Sequence, residues 1–326
     1  MKNVMETNLE QLAEGQYKRI SLGLKPSGLI HLGTAMTFLH GILVLKNNPE
    51  AILDVAVMDL DFDFQKGRNF LSYQKTPDIA GCHILMKEHT MQETINVLSG
   101  MANHFGIGAL RFNVSYFGEV TENAIFQKHL AHLFTTDEGN RILKQTISKG
   151  TGTRPQSLLS PICESCYHSS TGKPRIDKAN TTLTTICYNE KCDVEKYSVG
   201  LTEPRRINIF YLVDPIRDLI PNENGANADL HIFGGDYSNP YGADDTSKAE
   251  RVFGLLSAIS ENHPSIYVGP SIVFNGVKIG KSKRNGFDMG TLTKKFSNWP
   301  DRIHDLLKDN STEKVLELNA LEHYFS

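Results

Sequence analysis

Two separated stretches of this chain hold residues suited to phosphate chemistry. The first runs Gly23-Leu-Lys-Pro-Ser27-Gly28-Leu-Ile-His31-Leu-Gly33-Thr34. Gly28 and Gly33 let the backbone approach a ligand closely, because no Cβ stands in the way. A helix starting at that point offers unpaired N–H groups and the positive end of its dipole to a phosphate. His31 stands at the entrance as a hydrogen-bond donor to a phosphoryl oxygen. The second stretch runs Lys278-Ile-Gly280-Lys281-Ser282-Lys283-Arg284. A basic, glycine-containing loop suits the oxygens of a leaving pyrophosphate, since phosphoryl and nucleotidyl transfer are catalysed mainly by positioning and charge stabilisation. Each stretch alone has a plainer reading, an ordinary turn and a solvated basic surface. As a pair in strand–turn contexts they point to one nucleotide-handling site.

Carboxylates and thiols add to the set. Asp59, Asp61 and Asp63 close a long apolar run; there they face either the ligand crevice of an open α/β sheet or a solvated turn. Gly234-Gly235-Asp236-Tyr237 closes another. Its glycines admit a ribose or an amino acid, and Asp236 can accept from a hydroxyl or an ammonium group; the alternative is a tight turn. Cys163, Cys166, Cys187 and Cys192 form C-x2-C and C-x4-C pairs separated by twenty residues. In a reducing compartment such spacing favours a closed, structural tetrathiolate zinc site over disulfides. The polar, turn-rich segment between the pairs has little core of its own, and a metal would supply the missing stability. A metal-free remnant or a redox pair is the other reading. His168 reads as a loop residue or an alternative ligand, and Cys82 as a packed small side chain.

The elements that must position these residues follow from hydrophobic periodicity. Residues 18–24 read as a buried strand. Residues 34–46 carry Met36, Leu39, His40, Leu43 and Val44 at helical spacing. Strand, glycine-rich turn and helix open a nucleotide-binding α/β unit. Residues 51–59 form the continuous apolar run of a parallel strand, 91–105 a helix and 110–116 a third strand. Two helices are expected within 119–149, the first marked by Phe126, Leu130 and Leu133, the second by Arg141, Ile142 and Lys144. After a cysteine insert, the sheet resumes at 207–213, ending at Asp214-Pro215, and again at 229–233. A helix follows over 246–259, capped by Thr246 or Ser247. Residues 271–279 read as a hairpin turning at Asn275-Gly276, and short amphipathic helices are expected over 299–307 and 312–324. The boundaries expected are a first catalytic half at 1–157, the zinc insert at 158–199, a second half at 200–290 and a helical segment at 291–326.

The chain has 326 residues, 40% hydrophobic and 22% charged, with a net charge of −3. This composition is ordinary for a globular protein with a sizeable core. It gives no global basic footprint for nucleic acid, although a local patch would suffice for tRNA. No apolar run reaches the ~18 residues of a membrane span. The polar start Met1-Lys-Asn-Val-Met-Glu-Thr lacks a signal region, so a cytoplasmic protein is expected.

Taken in order, these residues resemble the catalytic half of class I (archaeal-type) lysyl-tRNA synthetase, over about residues 17–290. The likeness rests on G-x-x-P-S-G-x-x-H-x-G at 23–33, the aspartates at 59–63, and Ser160-Pro-Ile-Cys163-Glu-Ser-Cys166. It continues through Val213-Asp214, Phe233-Gly-Gly-Asp236 and Lys278–Lys283. The first and last are similar to the ATP-handling HIGH and KMSKS signatures of class I synthetases; the others fit the lysine branch. The resemblance implies an α/β fold, a class I aminoacyl-tRNA synthetase Rossmann (HUP-type) parallel sheet with a zinc-binding insert and short C-terminal helices. It implies ATP with Mg²⁺, bound around Ser27, Gly28, His31, Gly33, Gly235 and Lys281. His31, Thr34, Lys278, Lys281 and Ser282 would serve the transition state. Gly23, Asp59, Asp214, Asp236 and Tyr237 would meet the amino acid or the ribose.

The sequence departs from that family at Thr34 (usually His or Asn), at Gly280 in place of the central serine, and at Pro215 and Tyr237 beside the amino-acid pocket. Family members continue into a helical anticodon-reading domain, whereas this chain stops at Ser326. The expected function is therefore an ATP-dependent ligase that forms an aminoacyl-adenylate of lysine or a related amino acid. The acceptor is either tRNA without anticodon reading or a small molecule or carrier protein. The alternatives are an inactive paralogue that binds an amino acid or nucleotide, and an unrelated nucleotidyltransferase.

Overall fold

The computed structural model describes residues 4–5, 12, 14–26, 29–60, 79–137, 146–147, 156–157, 159–169, 174–177, 179, 181–190, 192–200, 202–209, 213–222, 225–237, 247–274, 277–278, 288–308 and 313–316. The strands are β1 (Val4–Met5), β2 (Arg19–Leu24), β3 (Ile52–Val57), β4 (Phe112–Tyr116), β5 (Thr146–Ile147), β6 (Gln156–Ser157), β7 (Leu159–Pro161) and β8 (Arg175–Asp177). They continue as β9 (Thr182–Ile186), β10 (Lys196–Gly200), β11 (Ile207–Ile209), β12 (Leu230–Phe233), β13 (Ser265–Val268), β14 (Ser271–Phe274), β15 (Val277–Lys278) and β16 (Glu313–Leu316). The helices are α1 (Leu32–Asn47), α2 (Ile79–His104), α3 (Phe117–Thr121), α4 (Ala124–Thr135), α5 (Val213–Asp218), α6 (Lys248–Ile259), α7 (Met289–Lys295) and α8 (Trp299–Lys308).

The central sheet is parallel throughout, in the order β1-β13-β12-β2-β3-β4. From β2 the chain builds outward through β3 and β4, then returns to build the other way through β12 and β13. The neighbours β2 and β12 therefore flank a topological switch point, where open α/β sheets form a crevice beyond the strands' carboxyl ends. The mostly apolar strands β2, β3 and β12 are covered on both faces, and the polar Ser21 and His231 within them are buried. On one face Ile20, Leu22 and Leu53 join Phe38, Leu39, Ile42, Leu98 and Ile303 from α1, α2 and α8 in the main core. On the other, Val252 and Leu256 of α6 pack with Phe233 and Ile266. Helix α6 starts at Ser247, which forms a capping box with Glu250.

A second core joins Ala56 and Leu60, at the end of β3, to Phe117, Phe126, Leu130 and Leu133 of α3 and α4. Ile162, Leu183, Val199 and Ile207 belong to the same cluster. Strands β8, β9 and β10 form the small antiparallel sheet of the cysteine module. Its stem is the antiparallel pair β7–β11.

Four expectations change here. Of the 207–213 stretch, residues 207–209 form β11, which pairs with β7 at the base of the insert and not with the central sheet, a tertiary pairing that β propensity cannot specify; residues 210–212 lie outside the described residues. Asp214 consequently lies in helix α5 and not at a strand end. Pro215 is tolerated in that first turn because its missing N–H would have had no intrahelical partner. At 313–316 the chain is strand β16, paired in parallel with β14, and not helix. Of the second helix expected within 119–149, residues 146–147 are strand β5, paired with β6; its markers Arg141, Ile142 and Lys144 lie outside the described residues.

Candidate active site and cysteine centre

The crevice begins at the end of β2, where Gly23 is exposed between buried neighbours. His31 is the N-cap of α1, in extended conformation, and its Nδ1 accepts from the Thr34 N–H at 3.4 Å. Accepting at Nδ1 leaves a neutral imidazole protonated at Nε2, so the ring presents an N–H donor beside the helix entrance. Beyond this cap α1 is buried on nearly every side; His31, Gly33, Thr34 and Thr37 alone in its first two turns reach the surface. Thr37 Oγ1 donates to the Gly33 carbonyl at 3.1 Å. A Cβ on Gly234 would lie 3.5 Å from Thr37 Oγ1, so the glycines after β12 face the first turns of α1 across the switch point.

The turn before His31 is held from both sides. The Ile30 N–H donates to Glu93 Oε2 of α2 at 2.8 Å. The Ile30 carbonyl accepts from the Met289 N–H at 2.8 Å, and His31 forms an antiparallel bridge with Asp288. Asp288 lies four residues beyond Arg284, the last residue of the basic stretch. At the other end of that stretch, Lys278 pairs with Val273 in the β14–β15 hairpin. The chain is thus anchored at Lys278, where the basic stretch begins, and again at Asp288, which touches the N-cap of α1; residues 279–287 lie outside the described residues.

The remaining expected residues divide. Asp59 lies at the carboxyl end of β3, and its Oδ1 accepts from the Gly118 N–H of α3 at 2.6 Å. Gly235, Asp236 and Tyr237 form a single 3-10 turn after β12, and Tyr237 stacks on Phe233 at 3.9 Å. The side chains of Asp214, Asp236 and Lys278 lie outside the described set, as do Ser27, Gly28, Lys281 and Ser282 altogether. Sequence reading missed Glu93, Asp288 and a buried ionic group beneath the crevice. There Asp218 accepts from Ser21 Oγ and from His231 Nδ1. Arg217 donates to Ser21 Oγ and to the Leu22 carbonyl. Burial alone would raise the Asp218 carboxyl; His231, Arg217 and Ser21 outweigh it and hold it below its ordinary 3.8. Arg217 Nε and Nη1 are buried without a hydrogen-bond partner among the described residues, and Nη2 lies 3.4 Å from the Asp218 carboxylate.

The cysteine centre is assembled as its spacing suggests. All four Sγ atoms lie within 4.8 Å of one another, with 3.8 Å between Cys163 and Cys192 and 3.6 Å between Cys166 and Cys187. Four sulfurs ~2.3 Å from a tetrahedral zinc stand about 3.8 Å apart, so the cluster fits that ion. Burial pushes the Cys166 and Cys187 thiols up, while backbone N–H groups of His168, Asn189 and Val194 donate to Cys166, Cys187 and Cys192 and act in the opposite sense. His168 contributes backbone only among these contacts: its carbonyl also accepts from the Cys163 N–H at 3.1 Å. Cys82 is fully buried and is not among the four clustered thiols. No described helix is long and apolar enough to cross a membrane.

No family model matches the chain. No curated protein matches it either. Among solved structures it is similar to a Campylobacter jejuni protein assigned as an arginyl-tRNA synthetase, at 11% identity and a TM-score of 0.41, covering 97% of this chain and 69% of that one. It is also similar to tyrosyl-tRNA synthetase of Archaeoglobus fulgidus, solved with L-tyrosine, at 16% identity and a TM-score of 0.40. That alignment covers 87% of this chain and 65% of the other, just under two thirds of its length.

Proposed function

We propose that this chain is an ATP-dependent, amino-acid-activating ligase of the class I synthetase type, acting at the switch-point crevice. The observation that supports this most is the His31–Asp288 bridge. It ties the chain four residues beyond the basic stretch to the N-cap of α1, which supports reading the two phosphate-suited stretches as parts of one site. In the reaction, a carboxylate oxygen of the amino acid attacks the α-phosphorus of ATP. A new P–O bond forms, the bond to the β-phosphate bridging oxygen breaks, and pyrophosphate leaves with the electron pair; no proton need move. The N-terminus of α1 and the His31 Nε2–H would face the polyphosphate, with Lys278, Lys281 and Ser282 stabilising charge on the leaving group. Mg²⁺ would accompany ATP. The acceptor's hydroxyl or amine then attacks the acyl carbon, AMP departs, and the nucleophile's proton passes to AMP or solvent.

Lysine or a close relative is the amino acid we favour, on the resemblance of Val213-Asp214 and Phe233–Asp236 to the lysine branch. The acceptor is tRNA, or a small molecule or carrier protein. Residues 1–157 and 200–290 would form the two halves of the catalytic domain around the 158–199 zinc insert, and the protein would act in the cytoplasm. The test is amino-acid-dependent ATP–pyrophosphate exchange with the standard amino acids, β-lysine and ornithine. Exchange with one of them is expected, falling about 100-fold in Lys281→Ala, as for loss of one charge-stabilising group, with unchanged melting temperature. Silence across the panel with folded, zinc-loaded protein would overturn the proposal in favour of a binding role.

A further inference from the structure

The cysteine module meets the crevice through one side chain. Tyr167, between Cys166 and His168, has φ of 55°, a left-handed conformation that strains a bulky residue and that glycine adopts freely. It is fixed there by the knuckle itself: its N–H donates to the Cys163 carbonyl at 2.8 Å. From this position its ring lies over His83 of α2, with centroids 4.4 Å apart and planes inclined at 31°. His83 is buried, and its Nε2–H donates to the Asp59 carbonyl oxygen at 2.8 Å. The Asp59 carboxylate in turn accepts from the Gly118 N–H. One chain of contacts therefore runs from the cysteine cluster, through Tyr167 and His83, to the backbone of Asp59, two residues beyond the end of β3.

A strained tyrosine where glycine would be easier indicates that the ring is what the position requires. We infer that Tyr167 is a positioning residue: held by the metal-loaded knuckle, it keeps His83 against Asp59, so that metal occupancy sets the geometry of the substrate crevice. The inference rests on the ligase reading only in taking that crevice as the substrate site. In the metal-free protein the knuckle loses its closure, Tyr167 relaxes out of the left-handed region, and His83 loses its ring neighbour while retaining its place on α2.

The informative variant is Tyr167→Gly, which removes the ring and suits the backbone conformation; Tyr167→Phe keeps the ring. The first readout is the His83 imidazole resonance in ¹⁵N-histidine-labelled, full-length, zinc-loaded protein, assigned with His83→Gln. Zinc stoichiometry is measured alongside. Tyr167→Gly is expected to keep one zinc and to lose the upfield ring-current shift of His83, which Tyr167→Phe retains. Chelation of the wild type should produce the same loss. The second readout is pyrophosphate exchange: Tyr167→Gly should raise KM for the amino acid about tenfold, the scale on which residues supporting a site act, with a smaller change in kcat. A His83 signal that ignores both chelation and Tyr167→Gly would overturn the inference. If exchange is absent from every form, the ligase reading fails, and the His83 signal still decides this one.

Discussion

The sheet that carries the crevice and the module that carries the cysteines reach order by different means. In the sheet, β2 and β3 pair over six registered positions, and both faces are covered by apolar side chains of long helices. The cysteine module has three short strands and sends only a few side chains, Ile162, Leu183 and Val199 among them, into a core that it shares with α3 and α4. The difference teaches where each part of the free energy resides. The sheet stands on burial of apolar area, whereas the module places four thiols where a missing ion would leave its chain poorly closed.

Metal removal should break the comparison most visibly. Structural zinc sites contribute on the order of 10 kcal/mol or more at neutral pH. Chelation is expected to abolish amide-exchange protection in β9 and β10 while β2 and β3 keep theirs; equal protection of β9 and β10 with and without metal would show that the module does not depend on the ion.

Next in size is the buried ionic group beneath the crevice. Asp218→Ala leaves the Arg217 and His231 side chains, 4% and 1% exposed, without their carboxylate, and should cost about 3–5 kcal/mol in urea unfolding. The folded carboxyl lies below its ordinary value, so its contribution is complete above that value and disappears as pH falls through the folded one. Asp218→Asn should accordingly flatten the acid limb of the stability profile, and an unchanged limb would count against the pairing.

Truncations in the two cores sharpen the contrast further. Leu39→Ala should cost about 2–5 kcal/mol of global stability. The same deletion at Leu183, equally buried, should chiefly lower the local opening energy of the module, read by amide exchange. Equal effects on one cooperative transition would show that the two parts unfold together. The smallest effect is expected at the α6 cap: Ser247→Ala removes half of a capping box and should cost about 1 kcal/mol, measurable as a small shift of the urea midpoint.

Much of the sheet was legible from sequence because the relevant physics is local. The run 19–24, the helix after His31, the β14–β15 hairpin and the Ser247 cap each depend on neighbours within a few residues. The cysteine cluster was legible for the same reason, since its spacing carries its geometry. What escaped depends on distant partners. Ile207–Ile209 reads as a sheet strand until β7 claims it, and Val315-Leu316 reads as helix until β14 offers an edge. Glu93, Asp288, His83 and Tyr167 carry no signature at all, because their roles exist only once Ile30, His31 and Asp59 are placed against them.

The pairing of β2 with β12 also has a consequence for synthesis. On the ribosome β2, β3 and β4 can associate early, but the free edge of β2 must wait roughly 200 residues for β12. At synthesis rates of about 5–20 residues per second, that edge of the strand Arg19–Leu24 stays open for ~10–40 s. An unpaired strand edge is a template for wrong partners. The nascent chain should therefore lean on a holding chaperone over this interval, and slowing translation between residues 120 and 230 should raise the fraction lost to aggregation.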